Sequence, residues 1–145
     1  MGQRLDALLL SKIRHNLKTH INIICGFSEL LNEELDDYSK GESDETADRL
    51  RNINSNGGQI ANLIDQSFPH SSFTRGDFFS KLNSQSIVLD DSVKGLLLDC
   101  KKELSACSGF PETGFFNAFK EDFLRIDKAV STLEESLKSL RDDSI

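Results

Sequence analysis

The sequence predicts an all-α protein: an antiparallel helical hairpin that forms a dimeric four-helix bundle, followed by a further helical segment ending in a long coiled-coil-like helix. Three observations predict this. Apolar side chains recur at alternating steps of three and four over much of the chain, which lays one narrow stripe along a helix. Only 2 of the 145 residues are proline and none is tryptophan, so little breaks a helix or suggests a sheet. The hydrophobic content of 37% is modest, which suits long helices that each bury a single stripe.

The first helix is expected over about residues 3–37. Leu10, Ile13, Leu17, Ile24, Phe27 and Leu31 make its stripe, and His20 falls where the stripe wants a hydrophobe. With Leu10 at heptad position a and Ile13 at d, His15 lands at f, farthest from the seam. A solvent-facing imidazole on a rigid helix is within reach of a partner protein. Residues 37–43 then break the helix with polar side chains and Gly41, and Ser43 or Asp44 caps the next one by accepting its unpaired first-turn amides.

The second helix carries Ala47, Leu50, Ile53, Gly57, Ile60 and Ile64 on the same rhythm. Two helices joined by a short loop make a hairpin, and one hairpin cannot bury its stripe alone, so two copies are expected to meet as a homodimer. Gly57 and Gly58 each cost the helix about 1 kcal/mol relative to alanine, which a close helix approach or a bend would explain. Pro69, in the stretch 68–76 (FPHSSFTRG), ends the helix and separates a hairpin over residues 1–70 from an extension over 71–145.

In the extension, a short helix is expected over residues 77–82 through Phe78, Phe79 and Leu82. A longer one over 90–107 turns Val93, Leu96, Leu97, Cys100 and Leu104 inward, and residues 108–111 make a turn. The last helix has an unbroken pattern of Phe116, Phe119, Phe123, Ile126, Val130, Leu133, Leu137 and Leu140. It runs almost to Ile145 with no glycine stop, so the natural protein is expected to continue.

A formal net charge of −7 argues against a nucleic-acid binder, which would carry a basic stripe. No apolar run approaches the ~20 residues that a membrane helix needs, and Asp6 beside Leu8–Leu10 spoils a signal-peptide pattern, so a cytoplasmic chain is expected. Cys25, Cys100 and Cys107 are odd in number and lack a CxxC pair, which gives neither a disulfide framework nor a zinc site. Free thiols packed in helices are expected instead.

The stretch over residues 13–31, IRHNLKTHINIICGFSELL, resembles the phosphoacceptor motif of sensor histidine kinases, in their dimerisation and histidine-phosphotransfer (HisKA-like) hairpin. That family's run is His-Glu-Leu-Arg-Thr-Pro-Leu-Asn, followed later by Gly-Phe-Ser-Glu-Leu-Leu. Residues 53–68 resemble its second hairpin helix more weakly, and the resemblance ends near Ser72. The HNLK run also faintly echoes free-standing phosphotransfer domains, His-x-Leu-Lys-Gly, with Thr19 in place of the glycine.

The resemblance implies that His15 is a phosphoacceptor. Asn16 stands where the family has an acidic base; an amide orients the ring but takes no proton. Lys18 keeps the positive charge of the family's arginine, and Thr19 matches the residue linked to positioning water for dephosphorylation of the partner. His20 replaces the family's proline and reads as a core-edge histidine. Nothing after Gly76 resembles the family's ATP-binding domain, so no autonomous kinase activity and no cofactor of this chain are expected. The implied partner is a response-regulator receiver domain that brings its own Mg²⁺, with a separate kinase as a further possible donor. The alternative is a non-catalytic dimeric signal-transmission module, its histidine vestigial, whose C-terminal heptads pass motion to an output domain beyond residue 145.

Overall fold

The computed structural model describes residues 2–39, 44–68, 78–109 and 113–143. Every element among them is helical: α1 (Gly2–Ser39), α2 (Asp44–Ser67), α3 (Phe78–Gly109), α4 (Thr113–Ala118) and α5 (Lys120–Asp143). The all-α class predicted from the three-four rhythm is therefore what the chain adopts.

The four long helices pack in a ring. α1 lies against α2 and α5, and α3 lies against the same two, with the short α4 tucked beside α3. Neighbours run antiparallel, and a polar or aromatic tie sets the register at each side of the ring. Lys18 meets Asp65 between α1 and α2, and Arg49 meets Glu103 at 3.3 Å between α2 and α3. Lys101 meets Glu134 at 2.7 Å between α3 and α5. The Arg125 guanidinium stands 5.3 Å from the centre of the Phe27 ring, between α5 and α1.

One core fills the ring. Leu10, Leu17, Ile21, Ile24, Leu31 and Leu35 of α1 join Leu50, Ile53, Ile60 and Ile64 of α2 in a single buried cluster. Leu89, Val93, Leu97 and Cys100 of α3 and Phe123, Ile126, Val130, Leu133 and Leu137 of α5 belong to the same cluster. The stripe that left the hairpin open is thus covered by α3 and α5 of the same chain. Each fully buried leucine or isoleucine in such a layer is worth about 1.5–3 kcal/mol of transfer free energy.

The buried face of α1 is rotated slightly from the expected seam. Ile21, Ser28 and Leu35 are buried, whereas Ile13 and Phe27 are only partly so and His20 is half-buried on the flank. A helix of 3.6 residues per turn, flanked on both sides by α2 and α5, buries a face broader than a two-stranded seam. The rotation leaves His15 pointing outward.

Two element boundaries differ from expectation. The short and long helices expected over residues 77–82 and 90–107 are one helix, α3, and it absorbs the polar run between them. Ser86 makes this possible: it is fully buried, and its hydroxyl donates to the Leu82 carbonyl at 2.6 Å, so the seam passes through it with that hydroxyl paired. Conversely, the expected single C-terminal helix breaks at Phe119 into α4 and α5. The break puts Phe115 rather than Phe116 into the core, where its ring sits 4.8 Å from that of Phe119 and 6.0 Å from that of Phe123. Glu121 and Asp122 then begin α5 with the charge that suits a helix N-terminus. The expected loop over residues 37–43, the proposed cap Ser43 and the stretch 69–76 fall wholly or partly outside the described residues.

The close approach expected at the two glycines is found at Gly57 and not at Gly58. A Cβ on Gly57 would lie 2.6 Å from Cys25 Sγ, so α1 and α2 approach there closely enough that any side chain would force Cys25 or the helices to shift. A Cβ on Gly58 would meet nothing within 4 Å.

Candidate functional site

His15 lies on α1 opposite the buried face, and its side chain is exposed. The helix beneath it is fixed by Leu17, Ile21 and Ile24, each no more than 3% exposed. The imidazole is therefore presented to solvent on a support that cannot easily move.

Two of the cations near His15, Arg14 and Lys18, reach across to the end of α2. Arg14 donates from Nη1 to the Phe68 carbonyl oxygen at 2.9 Å, partly buried. Lys18 donates from Nζ to both carboxylate oxygens of Asp65, at 3.1 Å each. These contacts tie α1 to the end of α2 at the level of the imidazole. Thr19 sits one turn beyond His15 and donates its hydroxyl to the His15 carbonyl oxygen at 2.8 Å. Its proton is committed to the backbone, while its oxygen lone pairs remain free to accept. Asn16 is exposed and lines the groove between α1 and α5, opposite Thr132, Glu135 and Ser136.

The four residues read from the motif thus fall within two turns near the middle of α1 but point in three directions. His15 and Thr19 share the outward face, Lys18 leans toward α2, and Asn16 leans toward α5. Asp65 was missed by sequence reasoning. Nothing within α2 distinguishes it from other solvent-facing acids, and only the hairpin register brings it to Lys18.

Along the same outward face, beyond Thr19, runs a shallow depression lined by Asn22, Ile23, Gly26, Phe27 and Leu30. Leu30 is 39% exposed, and on the other side of His15 the face carries Leu8 at 62%. Charge is graded along α1 as well. Lys12, Arg14 and Lys18 surround His15, whereas Glu29, Glu33, Glu34, Asp36 and Asp37 crowd the opposite end.

The cysteines stand apart from this face. Burial pushes the thiols of Cys100 and Cys107 up to about 11, and burial followed by the Glu29 carboxylate pushes that of Cys25 up as well. All three are free. Among the described residues no three metal-ligating side chains come together, and no helix is long and apolar enough to cross a membrane.

Comparison with family models, with curated proteins and with solved structures finds no match for this chain.

Proposed function

We propose that the chain is a histidine-phosphotransfer module of a two-component pathway, built as a four-helix bundle closed within one chain. In this reading His15 accepts a phosphoryl group from, or passes it to, the aspartate of a receiver domain. The observation that carries the reading is the outward, exposed His15 on a helix anchored by the core, set in a motif that resembles the family's phosphoacceptor run.

The chemistry asks little else of this chain. A neutral imidazole nitrogen attacks the phosphorus of the receiver's aspartyl phosphate. The N–P bond forms as the P–O bond to the carboxylate breaks, and the carboxylate leaves with the electron pair. The reverse step returns the group. Catalysis then rests on positioning a nucleophile in line, with the receiver supplying its own Mg²⁺. Lys18 provides positive charge one turn from the reacting nitrogen, and the amide of Asn16 accepts no proton, consistent with an acceptor that does not phosphorylate itself. The partly apolar depression beyond Thr19 offers a partner about three turns of contact beside the imidazole.

Closure of the ring by α3 and α5 bears on the expected homodimer. The exposed stripe was the reason to expect a second copy, and here it is buried within one chain. We therefore infer one chain and one phosphoacceptor per bundle. The heptads of α5 are spent on the same core, which favours phosphotransfer over the reading of a free transmission coil.

The test compares wild type with His15→Gln for labelling by small-molecule phosphodonors and by phosphorylated receiver domains. Acid-labile label on wild type and none on the variant is the expected result. Absence of label from every donor, on folded wild-type protein, overturns the proposal.

A further inference from the structure

We infer that Asp65 is a positioning residue for this transfer: it holds the Lys18 ammonium while His15 is bare and yields it to the phosphoryl group once His15 carries one. The inference rests on His15 being the phosphoacceptor and adds a residue from the other helix of the hairpin.

Geometry puts the three groups in series. Lys18 follows His15 by three residues, so the two side chains are surface neighbours on α1. Its Nζ is bound 3.1 Å from both Asp65 oxygens, which fixes the long side chain on the α2 side of the imidazole. The pair is solvent-facing, with side chains 38% and 46% exposed, and a pair of this kind is held only weakly. Lysine carries a compact charge on a flexible stem, so its ammonium can swing from one anion to another without moving the backbone. A phosphoryl group on His15 brings more negative charge than one carboxylate and outcompetes Asp65 for it.

Arg14 provides the contrast. Its guanidinium is bonded to the Phe68 carbonyl in a partly buried place, so it stays a structural tie. Asp65 consequently acts on the bare protein as a brake, because it takes up the charge that would favour phosphoryl arrival. Phosphorylation in turn undoes a salt bridge between α1 and α2.

The experiment follows acid-labile label on the full chain, supplied by phosphoramidate, in wild type, Asp65→Asn, Asp65→Glu, Lys18→Ala and the double variant Lys18→Ala/Asp65→Asn. Expected is several-fold faster labelling and slower loss of label in Asp65→Asn, with Asp65→Glu restoring wild-type behaviour. In the Lys18→Ala background the Asp65→Asn change is expected to have little further effect, because Asp65 acts through Lys18. Thermal unfolding of each variant separates this from a structural effect, which would appear equally in both backgrounds. Label on wild type that is insensitive to Asp65→Asn, or changed by it equally with and without Lys18, overturns the role of Asp65 and leaves the phosphoacceptor reading standing. Wild type that takes no label overturns both.

Discussion

Replacing Gly57 by alanine opposes two effects whose sizes can be worked out. In a helix interior alanine gains about 1 kcal/mol over glycine, because glycine gives up more backbone freedom on folding. At Gly57 the new methyl would stand 2.6 Å from Cys25 Sγ, with Ile24 Cγ2 behind it at 3.6 Å. The sulfur sits at the end of a short side chain and leans toward the Asn54 carbonyl at 3.7 Å, so relief means a changed Cys25 rotamer or a wider α1–α2 spacing. Overpacking of this kind costs about 1–3 kcal/mol, so the net effect of Gly57→Ala is a loss of up to about 2 kcal/mol. Gly58→Ala meets no atom within 4 Å and should gain up to about 1 kcal/mol. Urea denaturation of the two variants should therefore separate them by about 1–3 kcal/mol, with midpoints moving in opposite directions. Cys25→Ala/Gly57→Ala removes the obstructing sulfur and should recover much of what Gly57→Ala loses. Equal stability of the Gly57 and Gly58 variants would refute the close approach as the reason for this glycine.

Other expectations follow from the same structure. Sedimentation equilibrium should return the mass of one chain, 16.2 kDa, because the hairpin stripe is already covered; a dimer stable at micromolar concentration would contradict closure within the chain. Leu30→Glu should slow phosphoryl exchange with a receiver while leaving labelling by phosphoramidate intact, if the depression beyond Thr19 is where the proposed receiver docks; equal slowing with both donors would count against a docking role. The buried thiols of Cys100 and Cys107 hold protons in the folded state up to about pH 11, whereas the unfolded chain releases them from about 9. Stability from this source is fully present below pH 9 and is lost as pH rises through 11, by on the order of 2 kcal/mol per thiol. Cys100→Ala should flatten the decline of the denaturation midpoint over that window, and an unchanged slope would exclude Cys100 as its source. Ser86→Gly removes a buried, self-satisfied hydroxyl and opens a gap in the middle of α3; a loss of about 1–2 kcal/mol is expected from the glycine and the lost packing together, and full wild-type stability would show that the helix does not depend on that bond.

The alternation of three and four determined that this chain is helical, because period alone tells which face of a helix must leave water. It placed His15 outward for the same reason, and even a frame displaced by one residue, with Phe27 where Ser28 is buried, left the imidazole opposite the core. The local motif brought His15, Asn16, Lys18 and Thr19 within two turns of α1, since residues so close in a helix cannot be separated. What covers the stripe was not legible. Hydrophobic burial is non-directional, so the same face accepts a second copy or the chain's own later helices, and only the packed structure selects α3 and α5. The polar run before Asp90 hid the continuity of α3, because a buried serine that bonds its own helix looks, in sequence, like one that ends it. Phe115 and Phe116 are interchangeable to a periodicity count, and the break at Phe119 decides between them. Lys18 and Asp65 lie 47 positions apart, and their pairing exists only through the register of α1 against α2. Sequence determined which faces turn inward and which imidazole turns out; tertiary packing decided what meets those faces, because contact between distant residues depends on helix register and not on local period.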